Sequence, residues 1–325
     1  SSKYLKINKI FKIEYPILLL SSILGMFIMI SSNDLMVFYL GLELQSLALY
    51  VLASFKRNDQ LSSESGLKYF VLSALSSGLL LYGCSLIYGF SGSTNFDQIS
   101  NNISEVQYGL TLGIVFILVG LAFKISAVPF HMWAPDVYQG SPTSVTIFFA
   151  ILPKIAALSV FIRFLYVPFI NLIDQWQTII IFVSIASMVF GAVAAIGQKN
   201  LKRLMAYSSI SHMGFALAGL AVGTNEGIQS SLIYISIYLL MNLAFFSCLF
   251  MLKRNDIYHE DLSDLSGLSK NHRILALCLL ISLFSLAGIP PLAGFFAKFY
   301  IFLAVIKEEM YFLAIVGLLS LIHIS

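Results

Sequence analysis

The sequence predicts an all-α membrane protein of about ten transmembrane helices, arranged as two inverted five-helix repeats, each with a discontinuous helix. Three observations predict it. Of 325 residues, 58% are hydrophobic and 11% charged, with a mean hydropathy of +0.88, whereas a soluble domain carries about 25% charge. Ten apolar stretches are long enough, or nearly so, to cross a bilayer. Two of them are interrupted by Gly and Pro, and each of these carries a lysine. The composition excludes disordered and secreted disulfide-rich classes, and a net charge of +3 gives no footprint for nucleic acid.

The stretches run in order over 15–31, 35–55, 68–90, 108–130, 142–165, 176–197, 203–222, 229–252, 274–306 and 311–324. Runs such as Ile179-Ile180-Ile181-Phe182-Val183 are apolar at consecutive positions, as helices in lipid allow and strands of a barrel do not. Residues 1–14 form an N-terminal segment, 15–165 a first group of five spans, 166–175 a connection and 176–325 a second group, expected to be cut short at its end. The start carries Lys3, Lys6, Lys9 and Lys12 but no small-residue cleavage site, so no removable signal is expected.

Ten spans put both termini on one side with the loops at 56–67, 131–141, 198–202 and 253–273. That side then holds fourteen basic residues: Lys3, Lys6, Lys9, Lys12, Lys56, Arg57, Lys68, Lys199, Lys202, Arg203, Lys253, Arg254, Lys270 and Arg273. The other holds Arg163 and Lys307 alone. A positive side of this kind faces the cytoplasm or the mitochondrial matrix. One miscounted span would scramble the split, so the asymmetry also supports the count.

Three basic residues and one acid remain inside spans: Lys124, Lys154, Lys298 and Glu43. Each costs at least about 2.5 kcal/mol at hydrocarbon depth unless paired or hydrated. Glu43, in LMVFYLGLELQSLALYVLASF, is too deep to reach an interface and needs a partner. Gln45 and Ser46 add polarity beside it. Lys124 lies in GLAFKISAVPFHMWAPDVYQGSPT, where Pro129 breaks the helix and frees carbonyls near residues 125 and 126. A carboxylate moving toward or away from this lysine would decide whether it keeps its proton. Lys154 follows Pro153 in mid-helix, where snorkelling reaches neither surface. Lys298 follows Gly288, Pro290, Pro291 and Gly294, which should interrupt a long helix in mid-membrane.

The two broken spans are the fourth of each group of five. An odd number of helices makes two successive copies enter the membrane from opposite sides, the inverted-repeat layout of many transporters. His212, deep in RLMAYSSISHMGFALAGL beside Ser208, Ser209 and Ser211, is a candidate proton relay; a neutral histidine hydrogen-bonded to a serine is the alternative. His131 is expected at the water interface, and Asp136 and Ser141 as turn or cap residues among Pro129, Pro135 and Pro142. Lipid-facing positions explain most of the tyrosines. Cys84, Cys248 and Cys278 show no paired spacing and read as packing residues, so neither a metal site nor a disulfide is expected. No phosphate-cradling glycine loop, nucleophile elbow or haem or iron–sulfur ligand set is present. Protons or small cations are the expected cargo.

FYLGLELQSLALYVLASF, GLAFKISAVPFHMWAPDVYQGSPT, QKNLKRLMAYSSISHMGF and LAGIPPLAGFFAKF resemble, in order, blocks of the antiporter-like membrane subunits of respiratory complex I, the proton-translocating NADH-quinone oxidoreductase. The resemblance runs from about residue 13 to about 315, and VPFHMWAPDVYQGSPT is closer to one of that family's sister branches than to the others. It implies a fourteen-helix bacterial protein whose helices 4 to 8 and 9 to 13 form the inverted repeats, with three helices before Ser1 and one beyond; GLLSLIHIS departs from the family's continuation. It implies that Glu43 matches the helix 5 glutamate, Lys124 the helix 7 lysine, Lys154 the helix 8 lysine and Lys298 the helix 12 lysine.

The implied activity is proton transfer across the membrane through these residues, coupled to quinone reduction elsewhere in the complex. Lys124 with Glu43 would form one switch, and Lys154 would connect it to Lys298. NADH, FMN, iron–sulfur clusters and quinone would belong to the rest of the complex, with none bound by this chain. The implied partners are neighbouring antiporter-like and small membrane chains and the lipid bilayer, in a bacterial inner or mitochondrial inner membrane. The rival is a subunit of the related multisubunit sodium(cation)/proton antiporters, driven by an ion gradient; the block at 124–143 and co-purifying chains discriminate the two. A scaffold bundle with idle charges is a third reading, which requires that neutralising Lys124 leave pumping intact.

Overall fold

The structure, a computed structural model, describes residues 4, 5, 10, 12–103, 107–254, 257, 258 and 260–324, with the side chains of 253–258 and 322–324 left aside. The chain is an all-α membrane fold. Among the described residues fourteen helices follow one another: α1 Glu14–Ser31, α2 Leu35–Ala53, α3 Gln60–Ser91, α4 Phe96–Asn102, α5 Tyr108–Lys124, α6 Trp133–Gly140, α7 Thr143–Tyr166, α8 Ile173–Ile196, α9 Leu201–Ala221, α10 Asn225–Met251, α11 Leu268–Asn271, α12 Arg273–Ala287, α13 Ala293–Lys307 and α14 Tyr311–Ile324. Two short 3-10 turns, Ile170–Leu172 and Leu262–Leu265, and a two-residue antiparallel pair, Lys253–Arg254 with Ile257–Tyr258, complete the described elements.

Among the described residues seven helices are long and apolar enough to cross a membrane: α1, α2, α3, α7, α8 with its preceding turn, α9 and α10. Three shorter ones, α5, α12 and α14, are apolar too. Large apolar side chains face outward along them, among them Ile17, Phe27, Phe182, Val193, Leu240, Ile274 and Phe312. In water such a surface would drive association; in lipid it is the solvent-matched face. Helix starts are fixed by short polar side chains that accept from otherwise orphaned N–H groups. Asp34 accepts from Met36 and Val37, Asp59 from Leu61, and Asn200 from Lys202 and Arg203.

At the centre is α9, in which every residue from Ser209 to Ala221 is buried. Helices α6, α7, α8, α10 and α13 pack around it. A helix enclosed on all sides has no solvent face to give up to polar residues, so those it carries must find partners inside the protein.

Several sequence expectations change at the ends of elements. The span expected to start at 68 starts at Gln60, because Asp59 caps it; the loop at 56–67 is therefore short, and Lys68 lies inside α3. The loop expected at 131–141 is mostly the helix α6, with Pro135 in its first turn, where a missing N–H removes no helical bond. Asp136 is thus a helical residue in an ion pair and not a turn or cap, whereas Ser141 does end α6. The span at 108–130 stops at Lys124, and that at 274–306 divides at 288–292. Cys84 and Cys248 are buried, but Cys278 is exposed. Of the basic residues assigned to the positive side, Lys3, Lys6 and Lys9 and the side chains of Lys253 and Arg254 lie outside the described residues. Lys56, Lys68, Lys202 and Arg203 are ion-paired there, and Lys307 pairs with Glu226 elsewhere.

Candidate functional site: a row of buried lysines

Lys124, Lys154 and Lys298 are 3%, 0% and 3% exposed, so none snorkels to a surface. Each ammonium stands near an aromatic ring, of Phe123, Tyr138 and Phe215 respectively, between 5.3 and 5.8 Å from the centroid. That distance is within cation–π range. Their hydrogen-bond partners differ, and the differences follow from where each helix is broken.

Lys124 is the last residue of α5. Beyond it Ser126 adopts a left-handed conformation (φ +58°), and the last carbonyls of the helix are taken up by the turn: Phe123 accepts from the Trp133 indole at 2.9 Å and Ala122 from the Ala127 N–H at 2.8 Å. The break thus comes at the lysine, several residues before Pro129. The following strand of loop is tied to α8 by the Val128 N–H, which donates to Ser187 at 2.8 Å. The Lys124 ammonium donates to Ser46 on α2 at 2.6 Å and to Ser73 on α3 at 2.8 Å. Tyr50 donates to that same Ser73 at 2.6 Å.

Glu43 lies one turn before Ser46 on α2, and one of its carboxylate oxygens is buried with no partner within the protein, as is the Gln45 amide oxygen. The expected direct Glu43–Lys124 pair is not formed. Two serine hydroxyls hold the ammonium, with Glu43 within electrostatic reach.

Lys154 projects from α7 to α9, where its ammonium bonds the Ser209 hydroxyl. One turn further along α9, His212 is paired through Nδ1 with the Tyr234 hydroxyl at 2.5 Å, and its Nε2 is buried with no protein partner. One more turn brings Phe215, whose ring faces Lys298. Ser209, His212 and Phe215 recur every third residue and so share one face of α9. The row Lys154, Ser209, His212, Phe215, Lys298 is therefore set out by one helix. The alternative of a histidine satisfied by a neighbouring serine is corrected to a tyrosine.

Lys298 lies in α13 and reaches back across the break to the end of α12, donating to the Leu286 and Ala287 carbonyls at 3.0 and 2.8 Å. These are last-turn carbonyls with no helical donor, and the negative end of the helix dipole favours a cation there. Gly288, at φ +89°, makes the left-handed turn after α12. Gly294 lets α13 start against α12, its N–H donating to Ser285 at 3.1 Å.

The sequence did not single out Ser73, Tyr138, Tyr234 or Tyr238. Tyr50, Tyr69, Tyr138, Tyr234 and Tyr238 are buried and not lipid-facing. A serine in the fourth turn of α3 and tyrosines without an interfacial position were the available signals. Above the row, at the ends of α3, α6 and α9, Asp136 pairs with Lys68 at 2.6 Å and Arg203 at 2.7 Å beside a cavity of about 210 Å³. Partial burial works to raise its pKa, but these two cations hold the Asp136 carboxyl below the usual carboxylate range. Among the described residues no three His, Cys, Asp or Glu side chains stand close enough to hold a metal ion.

The family model for "NADH:quinone oxidoreductase/Mrp antiporter, TM" matches residues 32–323. A chain of Pelagibacter ubique named NADH-quinone oxidoreductase subunit N is 79% identical over 320 residues, covering 98% of this chain and 68% of that one. The chain spans about two thirds of the length of such relatives, 64% of the next. Among solved structures, a chain of respiratory complex I from Thermus thermophilus is 33% identical with a TM-score of 0.83, over 96% of this chain and 68% of that one. A chain of the Mrp complex from Dietzia is 26% identical with a TM-score of 0.88, over 95% and 58%. Backbone similarity alone therefore does not separate the two kinds of complex; sequence identity favours the first.

Proposed function

This chain belongs to the NADH:quinone oxidoreductase/Mrp antiporter family of membrane subunits, and from that premise we propose that it is a proton-translocating subunit of NADH-quinone oxidoreductase. Quinone reduction elsewhere in the complex is coupled here to proton transfer along Glu43, Lys124, Lys154, His212 and Lys298. The observation that carries the reading is the row itself: three buried lysines, each on neutral partners with no carboxylate in contact, spaced along α5, α7 and α13. A buried ammonium without a counter-charge is close to the balance between holding and releasing its proton.

A charge passed from a neighbouring subunit would bring Glu43 toward Lys124 or away from it. Lys124 would then keep or give up its proton, with the Ser46 and Ser73 hydroxyls able to relay it only by passing their own protons on to Glu43 or to water. Lys154 and Lys298 would follow in turn, joined by Ser209 and by His212, whose buried Nε2 would take up a proton in the tautomer whose Nδ1–H donates to Tyr234 and would meet a water in the other. The broken helices would belong to two inverted five-helix repeats, 15–165 and 176–325, within a ten-span block. Both ends of this chain would face the cytoplasm or matrix. NADH, FMN, iron–sulfur clusters and quinone would be held by other subunits, and neighbouring antiporter-like and small membrane chains would flank this one in a respiratory inner membrane. The antiporter reading loses weight because relatives at 52–79% identity all carry the subunit N name.

The test is Lys154→Met, which keeps the bulk and removes the charge. With the complex assembled, NADH-driven quinone reduction and proton uptake in membranes should both fall at least about tenfold, equivalent to about 1.4 kcal/mol. Full activity would make this lysine structural and move the proton route elsewhere.

A further inference from the structure

We propose that Tyr138 and Tyr238 are positioning residues for Lys154: their hydroxyls occupy two main-chain carbonyls beside Pro153 and so leave the ammonium to Ser209 alone. The proposal rests on the proton-carrying role proposed for Lys154.

Pro153 has no N–H, so the carbonyl four residues earlier, that of Phe149, loses its helical donor. Tyr138 from α6 donates to it at 3.3 Å. The adjoining carbonyl of Ala150, which faces the Lys154 N–H in the helical ladder of α7, accepts a second hydrogen bond from Tyr238 of α10 at 3.2 Å. Both phenols are fully buried, and they enter from different helices. A helical side chain leans toward the N-terminus over the preceding turn. Lys154 therefore projects over the turn that contains these carbonyls, which would draw in its ammonium if they stood open.

Lys298 shows what that alternative looks like, since its ammonium sits on the open carbonyls of Leu286 and Ala287. A pair of carbonyl dipoles favours the charged lysine more than a single hydroxyl does. The two tyrosines thus make Lys154 unlike Lys298, although both stand beside a proline-generated opening. The groups that face Lys154 are Tyr138 from α6 and Ser209 and His212 from α9; Tyr238 from α10 reaches the Ala150 carbonyl and, like Tyr138, the Ser209 hydroxyl that holds the ammonium. No hydrogen bond or ion pair joins it to α1, α2 or α5, whose Lys124 is held by serines. No carboxylate is therefore in contact to compensate for an opened carbonyl.

The experiment uses the whole complex in membranes and compares the pH profile of NADH-driven proton uptake in the wild type, Tyr138→Phe, Tyr238→Phe and the double variant. Phenylalanine keeps the rings. Each opened carbonyl should raise the pH at which the lysine releases its proton, so the rising limb moves to higher pH, by about one unit in the double variant, a tenfold change in proton affinity. Adding Pro153→Ala to Tyr138→Phe restores an N–H for the Phe149 carbonyl and should return the profile toward wild type. A purely structural role would lower uptake equally at every pH, and the proline replacement would not rescue it; either result overturns the proposal. An assembled double variant with an unshifted profile, or loss of assembly in a single phenylalanine variant, also overturns it. Normal pumping in Lys154→Met would instead overturn the proton-carrying role itself.

Discussion

Replacing Gly294 by alanine should uncouple this subunit, and the size of the effect can be worked from the α12–α13 break. A Cβ at this position would overlap the Ser285 carbonyl and stand 2.7 Å from its carbon. Ordinary carbon–carbon contact begins near 3.5 Å, so the two helices must part by at least about 0.8 Å, and by more to clear the carbonyl oxygen, which lies closer still. Lys298 follows Gly294 by one turn of α13, and its bonds to Leu286 and Ala287 measure 3.0 and 2.8 Å. Carried outward by that shift, both exceed about 3.2 Å, where N–H···O bonds end. Hydrogen bonds to a charged group contribute about 1.5–3 kcal/mol each, and a misplacement of about 1 Å at a reacting group costs on the order of a hundredfold in rate. Proton uptake driven by NADH in Gly294→Ala membranes should therefore fall between about tenfold and a hundredfold. A native gel establishes that the complex is assembled. Gly78→Ala serves as the control, because no atom lies within 4 Å of its added Cβ. Wild-type uptake in an assembled Gly294→Ala complex would refute the reasoning.

Ser46→Ala and Ser73→Ala each remove one of the two acceptors of the Lys124 ammonium; either should lower coupled turnover severalfold and the double replacement more than the product, since one hydroxyl then no longer covers for the other. Equal, additive losses in kinetic assays would argue that the serines act separately. Asp136 has its folded pKa depressed by Lys68 and Arg203 against the opposing effect of burial, so the stability it contributes is present above the ordinary carboxylate value of about 4 and fades as pH falls through the lower folded value. Amide exchange over 133–140 should lose protection across that window in the wild type and show no such step in Asp136→Asn; a step that persists in the variant would assign it to another group. His212→Gln should slow proton transfer between Lys154 and Lys298 without dismantling α9, read as reduced uptake with an assembled complex; unchanged uptake would limit His212 to packing against Tyr234 and Tyr238.

Much of this arrangement was legible in the sequence, because the hydrocarbon core punishes charge so strongly that Lys124, Lys154, Lys298 and Glu43 stand out in any reading. The two breaks were legible for a similar reason: Gly288, Pro290 and Pro291 cannot continue a helix. What escaped was tertiary. Ser46 and Ser73 come to Lys124 from 78 and 51 residues away, and serine occurs in so many apolar spans that no single one announces itself. The break in α5 was misplaced because proline was taken as its cause, whereas the turn is made by Ser126 and the Trp133 indole. The start of α3 was missed because Gln60 to Leu67 is polar in composition, and polarity outweighed the cap at Asp59. Lys298 looked alike to Lys124 in sequence, yet one binds carbonyls and the other hydroxyls, a difference set by which helix end each ammonium reaches.

Glu43 and Ser46 ride on α2, and α2 meets α1 at a contact with no slack. A Cβ on Gly25 would come within 2.8 Å of the Gly41 carbonyl, and one on Gly41 within 2.7 Å of the Met29 N–H. Small residues permit this backbone-to-backbone approach, and it rules out a piston. To slide by a turn, α2 would have to carry side chains through a gap that admits none. A change in spacing between Glu43 and Lys124 does not then come from α2 sliding along α1, which leaves bond rotation in the two side chains as the smallest movement that achieves it. Side-chain rotation is far faster than the microsecond-to-millisecond rearrangement of packed helices. On the role proposed for this pair, gating by side-chain rotation would then be set by how long a hydration pattern lasts and not by how fast a helix moves.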